Sequence, residues 1–82
     1  MNKKVLIADD EQNIVISLEF LMKREGFEVV VANDGEEAIR RIRADQPDLV
    51  LLDVMMPKLD GIDAARRILS ERPIPIVMLT AY

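Results

Sequence analysis

Four short stretches of the chain are continuously apolar, at residues 5–8, 29–32, 49–52 and 76–79. None of them alternates with polar positions. Unbroken apolar runs suit strands covered on both faces, as in a parallel sheet. Between the runs, apolar residues recur at helical spacing. The first predicted helix extends from about residue 11 to residue 25, with Ile14, Leu18, Leu21 and Met22 as its inner positions, and Gly26 is a natural C-terminal stop. The second begins near Gly35, with Asp34 as N-cap and Glu37 completing a capping box. Ala38, Ile39 and Ile42 form its apolar face, and Pro47 ends the segment. The third begins near Gly61, with Asp60 as cap candidate and Ile62, Ala65, Ile68 and Leu69 facing inward. Pro73 closes it, and Pro75 starts the fourth strand, where a missing N–H is tolerated. The pattern reads β-α-β-α-β-α-β, which predicts an α/β sheet with right-handed crossovers.

Composition narrows this picture. With 82 residues the chain is one domain at most, and half of it is hydrophobic. Aromatics make up only 4%, so aliphatic side chains and methionines must build the core. The net charge of −4 supplies no basic surplus for neutralising phosphates, which argues against direct nucleic-acid binding. The absence of Cys rules out disulfides and thiol nucleophiles. The N-terminal apolar run is cut short by Asp9, Asp10 and Glu11, unlike a signal peptide. No run approaches the roughly 18 apolar residues that span a bilayer. A soluble, cytoplasmic protein is expected.

Candidate chemistry lies at the strand ends, where open α/β sheets place their sites. The first strand runs into Asp9-Asp10-Glu11, the third into Asp53 and the fourth into Thr80. If these strands are neighbours, Asp9, Asp10, Asp53 and Thr80 converge. Clustered carboxylates raise one another's pKa and call for a cation. Mg²⁺ suits such a set, because it accepts a few carboxylates and keeps several waters. A carboxylate in that setting can act as a nucleophile and form an acyl phosphate, with positioning and charge neutralisation supplying most of the catalysis. Thr80 could hydrogen-bond a phosphoryl oxygen. Other polar groups have plainer readings. Asp9 and Asp10 also suit helix caps, Met55 and Met56 before Pro57 suit loop packing, and Glu36, Glu37, Arg40, Arg41 and Arg43 form a solvated helix face.

Three segments together resemble the receiver domain of bacterial response regulators. They are Val5-Leu6-Ile7-Ala8-Asp9-Asp10-Glu11, then Asp53-Val54-Met55-Met56-Pro57 with Asp60-Gly61, then Val77-Met78-Leu79-Thr80-Ala81. The resemblance implies a flavodoxin-like three-layer fold with strand order 2-1-3-4-5. It implies that Asp53 is the phosphoacceptor and that Asp10, Asp53 and the backbone carbonyl of Met55 ligate Mg²⁺, with Asp9 acting largely through water. It also implies that Thr80 is the switch hydroxyl, and that the phosphodonor is a phosphohistidine on a sensor histidine kinase.

The family pattern also includes a fifth strand bearing a Lys and an aromatic residue, and two further helices. The 82 residues stop at Tyr82, just after the fourth strand, and neither Lys4 nor Lys58 matches that Lys. Residues 1–82 are therefore expected to be the N-terminal portion of a single receiver domain, with order 2-1-3-4. Such a chain would leave the fourth strand as an apolar edge and part of the first helix uncovered, which predicts self-association. Two functions compete with each other: a switching module that is not a turnover enzyme, and an associating fragment without activity. A flavodoxin-like cofactor binder is a third reading. It is disfavoured because the turn after the first strand is acidic and lacks the glycines that cradle phosphate.

Overall fold

The computed structural model describes residues 3–53, 61–71 and 73–79. Their order is β1 (Lys4–Ala8), α1 (Gln12–Arg24), β2 (Glu28–Ala32), α2 (Gly35–Asp45), β3 (Leu49–Asp53), α3 (Gly61–Glu71) and β4 (Ile76–Leu79). The strands form one sheet in the order β2-β1-β3-β4, and every pairing is parallel. This is the flavodoxin-like arrangement, with strand order 2-1-3-4.

Burial on both faces explains the unbroken apolar runs of the central strands β1 and β3, whereas β4, at the edge of the sheet, leaves Val77 and Met78 exposed. Along β1, Leu6 and Ala8 point to one side and Val5 and Ile7 to the other, and all four are inaccessible to solvent. On the first side they join Val50, Leu52, Ala38, Ile42 and Ile68, so α2 and α3 cover that face. On the second side Val5, Ile7 and Leu51 meet Val15 of α1, flanked by Leu18 and Met22. The result is three layers with the sheet in the middle. Leu6, Ile7, Ile42, Leu52 and Ile68 are the bulkiest fully buried apolar side chains. Each contributes about 1.5–3 kcal/mol by leaving water.

Local signals set the ends of the helices. The Asp34 carboxylate accepts from the Glu37 N–H at 2.8 Å, and the Glu37 carboxylate accepts from the Asn33 N–H at 2.7 Å. The capping box expected at Asp34 is thus present, with its return bond made one residue before the cap. After α1, Gly26 takes a positive φ of 92°, and its N–H donates to the Lys23 carbonyl. Gln46 caps α2 in the left-handed region at φ 49°. A non-glycine residue there gives no sequence signal. Pro75 directly precedes β4, and its carbonyl accepts from the Val50 N–H at 3.0 Å, so it adds an acceptor to the ladder without needing to donate.

Two inner-face expectations need correction. In α1 the inward positions are Val15, Leu18 and Met22, whereas Ile14 and Leu21 are exposed along with Ile16 and Phe20. The apolar residues of this helix are not confined to one side, so spacing alone does not single out the side that meets the sheet. In α3, Ile68 is buried and Ala65 partly so, but Leu69 is exposed. Among the described residues, no helix is long and apolar enough to cross a membrane.

Candidate functional site: an acidic pocket at the strand ends

The strand order decides which chain ends meet. β1 and β3 are neighbours in the centre of the sheet, with Ala8 level with Leu52. Residues just beyond Ala8 therefore lie beside Asp53, the last residue of β3. Carboxylate oxygens of Asp9, Asp10 and Asp53 all lie within 4.8 Å of one another. Asp9 is 2% exposed and Asp53 4%, and they are the only buried charged residues among those described. Asp10 points toward solvent.

Each acid is held differently. The Asp9 N–H donates to the Ala32 carbonyl at 3.2 Å, tying the end of β1 to the end of β2. The Asp9 side chain accepts from the Glu11 N–H at 2.8 Å, a two-residue turn that shapes the entry to α1. Glu11, rather than Asp9 or Asp10, is the N-cap of α1, and its side chain accepts from the Asn13 N–H at 3.4 Å. The cap reading of the two aspartates is thereby set aside. Asp53 is placed by the ladder itself, opposite Leu79 of β4. Thr80 follows Leu79 in sequence, but Thr80, Met55 and Asp60 lie outside the described residues.

The electrostatics follow from this packing. Burial pushes the Asp9 carboxyl above its ordinary value, and the charges of Asp53 and Asp10 push in the same direction. The bond from the Glu11 N–H opposes them without cancelling them. Three oxygen donors that repel one another, two of them out of water, fit a hard divalent cation. Lys4 sits at the opposite end of β1, where its Nζ donates to the Asp45 carbonyl at 3.2 Å, so it does not serve this pocket.

Comparison with known proteins places this geometry. Residues 5–82 match the response regulator receiver domain. The chain belongs to that family. It is 48% identical over 82 residues to the alkaline phosphatase synthesis transcriptional regulatory protein PhoP of Bacillus subtilis, covering 99% of this chain and 34% of that protein. It thus spans about a third of that relative. Among solved structures it is similar to a CheY-like response regulator receiver domain protein from Methanospirillum hungatei, with a TM-score of 0.95 and 29% identity. That match covers 100% of this chain and 66% of the other. It is also similar to the response regulator TrrA of Thermotoga maritima in complex with Mg(2+)-BeF, with a TM-score of 0.92 and 38% identity, covering 98% of this chain and 70% of that one. Members of the family are signalling modules that receive a phosphoryl group. The strand order that the resemblance implies is the one observed, and it brings Asp9, Asp10 and Asp53 together, a meeting that the residues alone left conditional on β1 and β3 being neighbours. Sequence reasoning missed the Asp9–Glu11 turn and the Asp9–Ala32 tie, because both depend on backbone positions rather than residue type.

Proposed function

We propose that this receiver takes a phosphoryl group from the phosphohistidine of a sensor kinase onto Asp53. The observation that carries the proposal is the meeting of Asp9, Asp10 and Asp53 at the ends of two central strands, with Asp9 and Asp53 buried. In the proposed step an Asp53 carboxylate oxygen attacks phosphorus and forms a P–O bond. The P–N bond to the kinase imidazole breaks, and the imidazole leaves with that electron pair. Asp10, Asp53 and the Met55 backbone carbonyl are the proposed Mg²⁺ ligands, with Asp9 acting largely through water. Mg²⁺ in that place would neutralise the carboxylates and the incoming phosphoryl oxygens. The similar Thermotoga regulator in complex with Mg(2+)-BeF supports this ion and this chemistry. Thr80, next after the residue that pairs with Asp53, is the proposed switch hydroxyl.

Residues 1–82 are read as the N-terminal portion of one receiver domain, acting in the cytoplasm as a switch with no separate substrate turnover. The test is incubation with Mg²⁺ and acetyl phosphate, followed by intact mass. A gain of one phosphoryl group that vanishes in Asp53→Asn is expected. Failure of the wild-type chain to gain mass, while beryllofluoride with Mg²⁺ also leaves its spectrum unchanged, would defeat the proposal.

A second reading is favoured by the surface. Ile16 and Phe20 of α1 are 61% and 62% exposed, and Val77 of the outer strand β4 is 48% exposed. These apolar groups support self-association of the 82-residue chain through the α1 face or the β4 edge. Light-scattering mass at micromolar concentration checks it, and a monomer would exclude it.

A further inference from the structure

Helices α2 and α3 lie on the same face of the sheet and pack side by side. Each connects parallel strands in the same sense, so the two helices run in the same direction. In each helix the arginines lie between acids of the first turn and an acid at the last residue, Asp45 in α2 and Glu71 in α3. Acidic residues occupy the first turns, Glu36 and Glu37 in α2 and Asp63 in α3. Arginines follow: Arg40, Arg41 and Arg43 in α2, and Arg66 and Arg67 in α3. Beyond these, the chain's arginines are Arg24 and Arg72. The packing of α2 beside α3 brings Arg40, Arg43 and Arg67 to one groove of about 310 Å³, lined also by Ile39, Glu36 and Ser70.

Glu36 and Arg40, and likewise Asp63 and Arg67, stand four residues apart, a spacing that favours helix formation, but the dipole adds little to it. The macrodipole favours cations only in the last turn. In α2 that covers Arg43, and α3 has no basic residue in its last turn. Arg40 and Arg67 sit further up their helices. Arg41 forms a helix ion pair with Asp45 at 3.7 Å. Among the described residues Arg40 and Arg67 form none. The Ser70 hydroxyl donates to the Arg67 carbonyl at 2.7 Å, so its proton is already used and recognition falls to the guanidinium groups.

We infer that the α2–α3 groove docks an acidic, extended peptide segment of a partner protein, through the guanidinium groups of Arg40, Arg43 and Arg67. Arg presents a planar fork that matches a carboxylate. The half-buried Ile39 supplies an apolar contact between the charged groups. A long polyanion such as DNA fits less well, because the net charge of −4 repels it beyond the groove. The surface is separate from the Asp53 pocket, so its test does not depend on phosphorylation.

The experiment is fluorescence anisotropy of the whole chain with a labelled peptide of alternating Glu and Leu. Saturable binding that weakens at about 0.5 M salt is expected. The double variant Arg40→Glu/Arg67→Glu should lose affinity about tenfold or more, while Arg40→Lys/Arg67→Lys retains part of it and Arg24→Glu stays near wild type. Circular dichroism confirms that each variant is folded. Equal loss in Arg24→Glu, equal binding of a DNA duplex, or no binding at millimolar peptide would overturn the inference.

Discussion

At the residue scale, the chemistry of this receiver rests on where Asp9 is held. Asp9 occupies a position that only a metal ion or a proton makes comfortable. Its pKa in the folded chain lies above the ordinary 3.8, so the folded state binds a proton more tightly than the unfolded state does. The contribution of Asp9 to metal-free stability is therefore greatest at low pH. It falls as pH rises from the unfolded value through the raised folded one, and the loss is complete above that. Urea melts in chelator between about pH 4 and pH 7 should show this fall, and millimolar Mg²⁺ should reduce it. Asp9→Asn keeps an oxygen to accept from the Glu11 N–H while removing the charge. It should raise metal-free stability near neutral pH by about 1 kcal/mol and flatten the pH dependence. The same change should weaken stabilisation by Mg²⁺, and a thermal-shift titration reads both effects.

At the element scale, caps and inner faces carry the stability. Asp34 satisfies an otherwise unpaired N–H at the start of α2. Asp34→Ala should cost about 1 kcal/mol, measured by chemical denaturation. Ile42 and Ile68 fill the layer between the sheet and helices α2 and α3. Either changed to Ala should cost about 2–5 kcal/mol, enough to threaten a chain of this size. Leu69→Ala, on the exposed side of α3, should cost far less. That contrast checks the corrected orientation of α3, which spacing alone had left two ways to fill. In α1 the corresponding contrast is Val15→Ala, which is damaging, against Ile14→Ala, which is mild.

At the scale of the whole molecule, the sheet joins the acidic pocket to an incompletely covered surface. Beneath α2 and α3 the side chains of Leu6, Val50, Leu52, Ile42 and Ile68 are buried, while the α1 side leaves Ile16, Phe20, Leu21 and Val77 in contact with water. Val77 pairs with Leu51, whose side chain lies on the α1 face, so Val77 and α1 border the same open region. Phe20 is flanked by Arg24, whose guanidinium carbon stands 5.9 Å from the ring centre. Phe20→Ser together with Val77→Lys should shift the mass of any assembly toward the monomer in light scattering. The melt should change little, because neither side chain supports the core.

The order of elements, the two-sided burial of the central strands β1 and β3 and the identity of the acids at the strand ends were legible in the chain, whereas the outer strand β4, read as equally buried, leaves Val77 and Met78 exposed. The legible features follow from local periodicity and from residue chemistry, both of which a linear pattern records. Periodicity left open which strands are neighbours; the family resemblance supplied the order, and the fold makes β1 and β3 adjacent so that Asp9, Asp10 and Asp53 meet. Tertiary structure alone decided which side of α1 and α3 faces inward, since an apolar residue on a helix is buried only if a neighbour covers it. The meeting of Arg40, Arg43 and Arg67 has the same origin. Residues of α2 and α3 share a groove because two right-handed crossovers lay both helices on one face of the sheet.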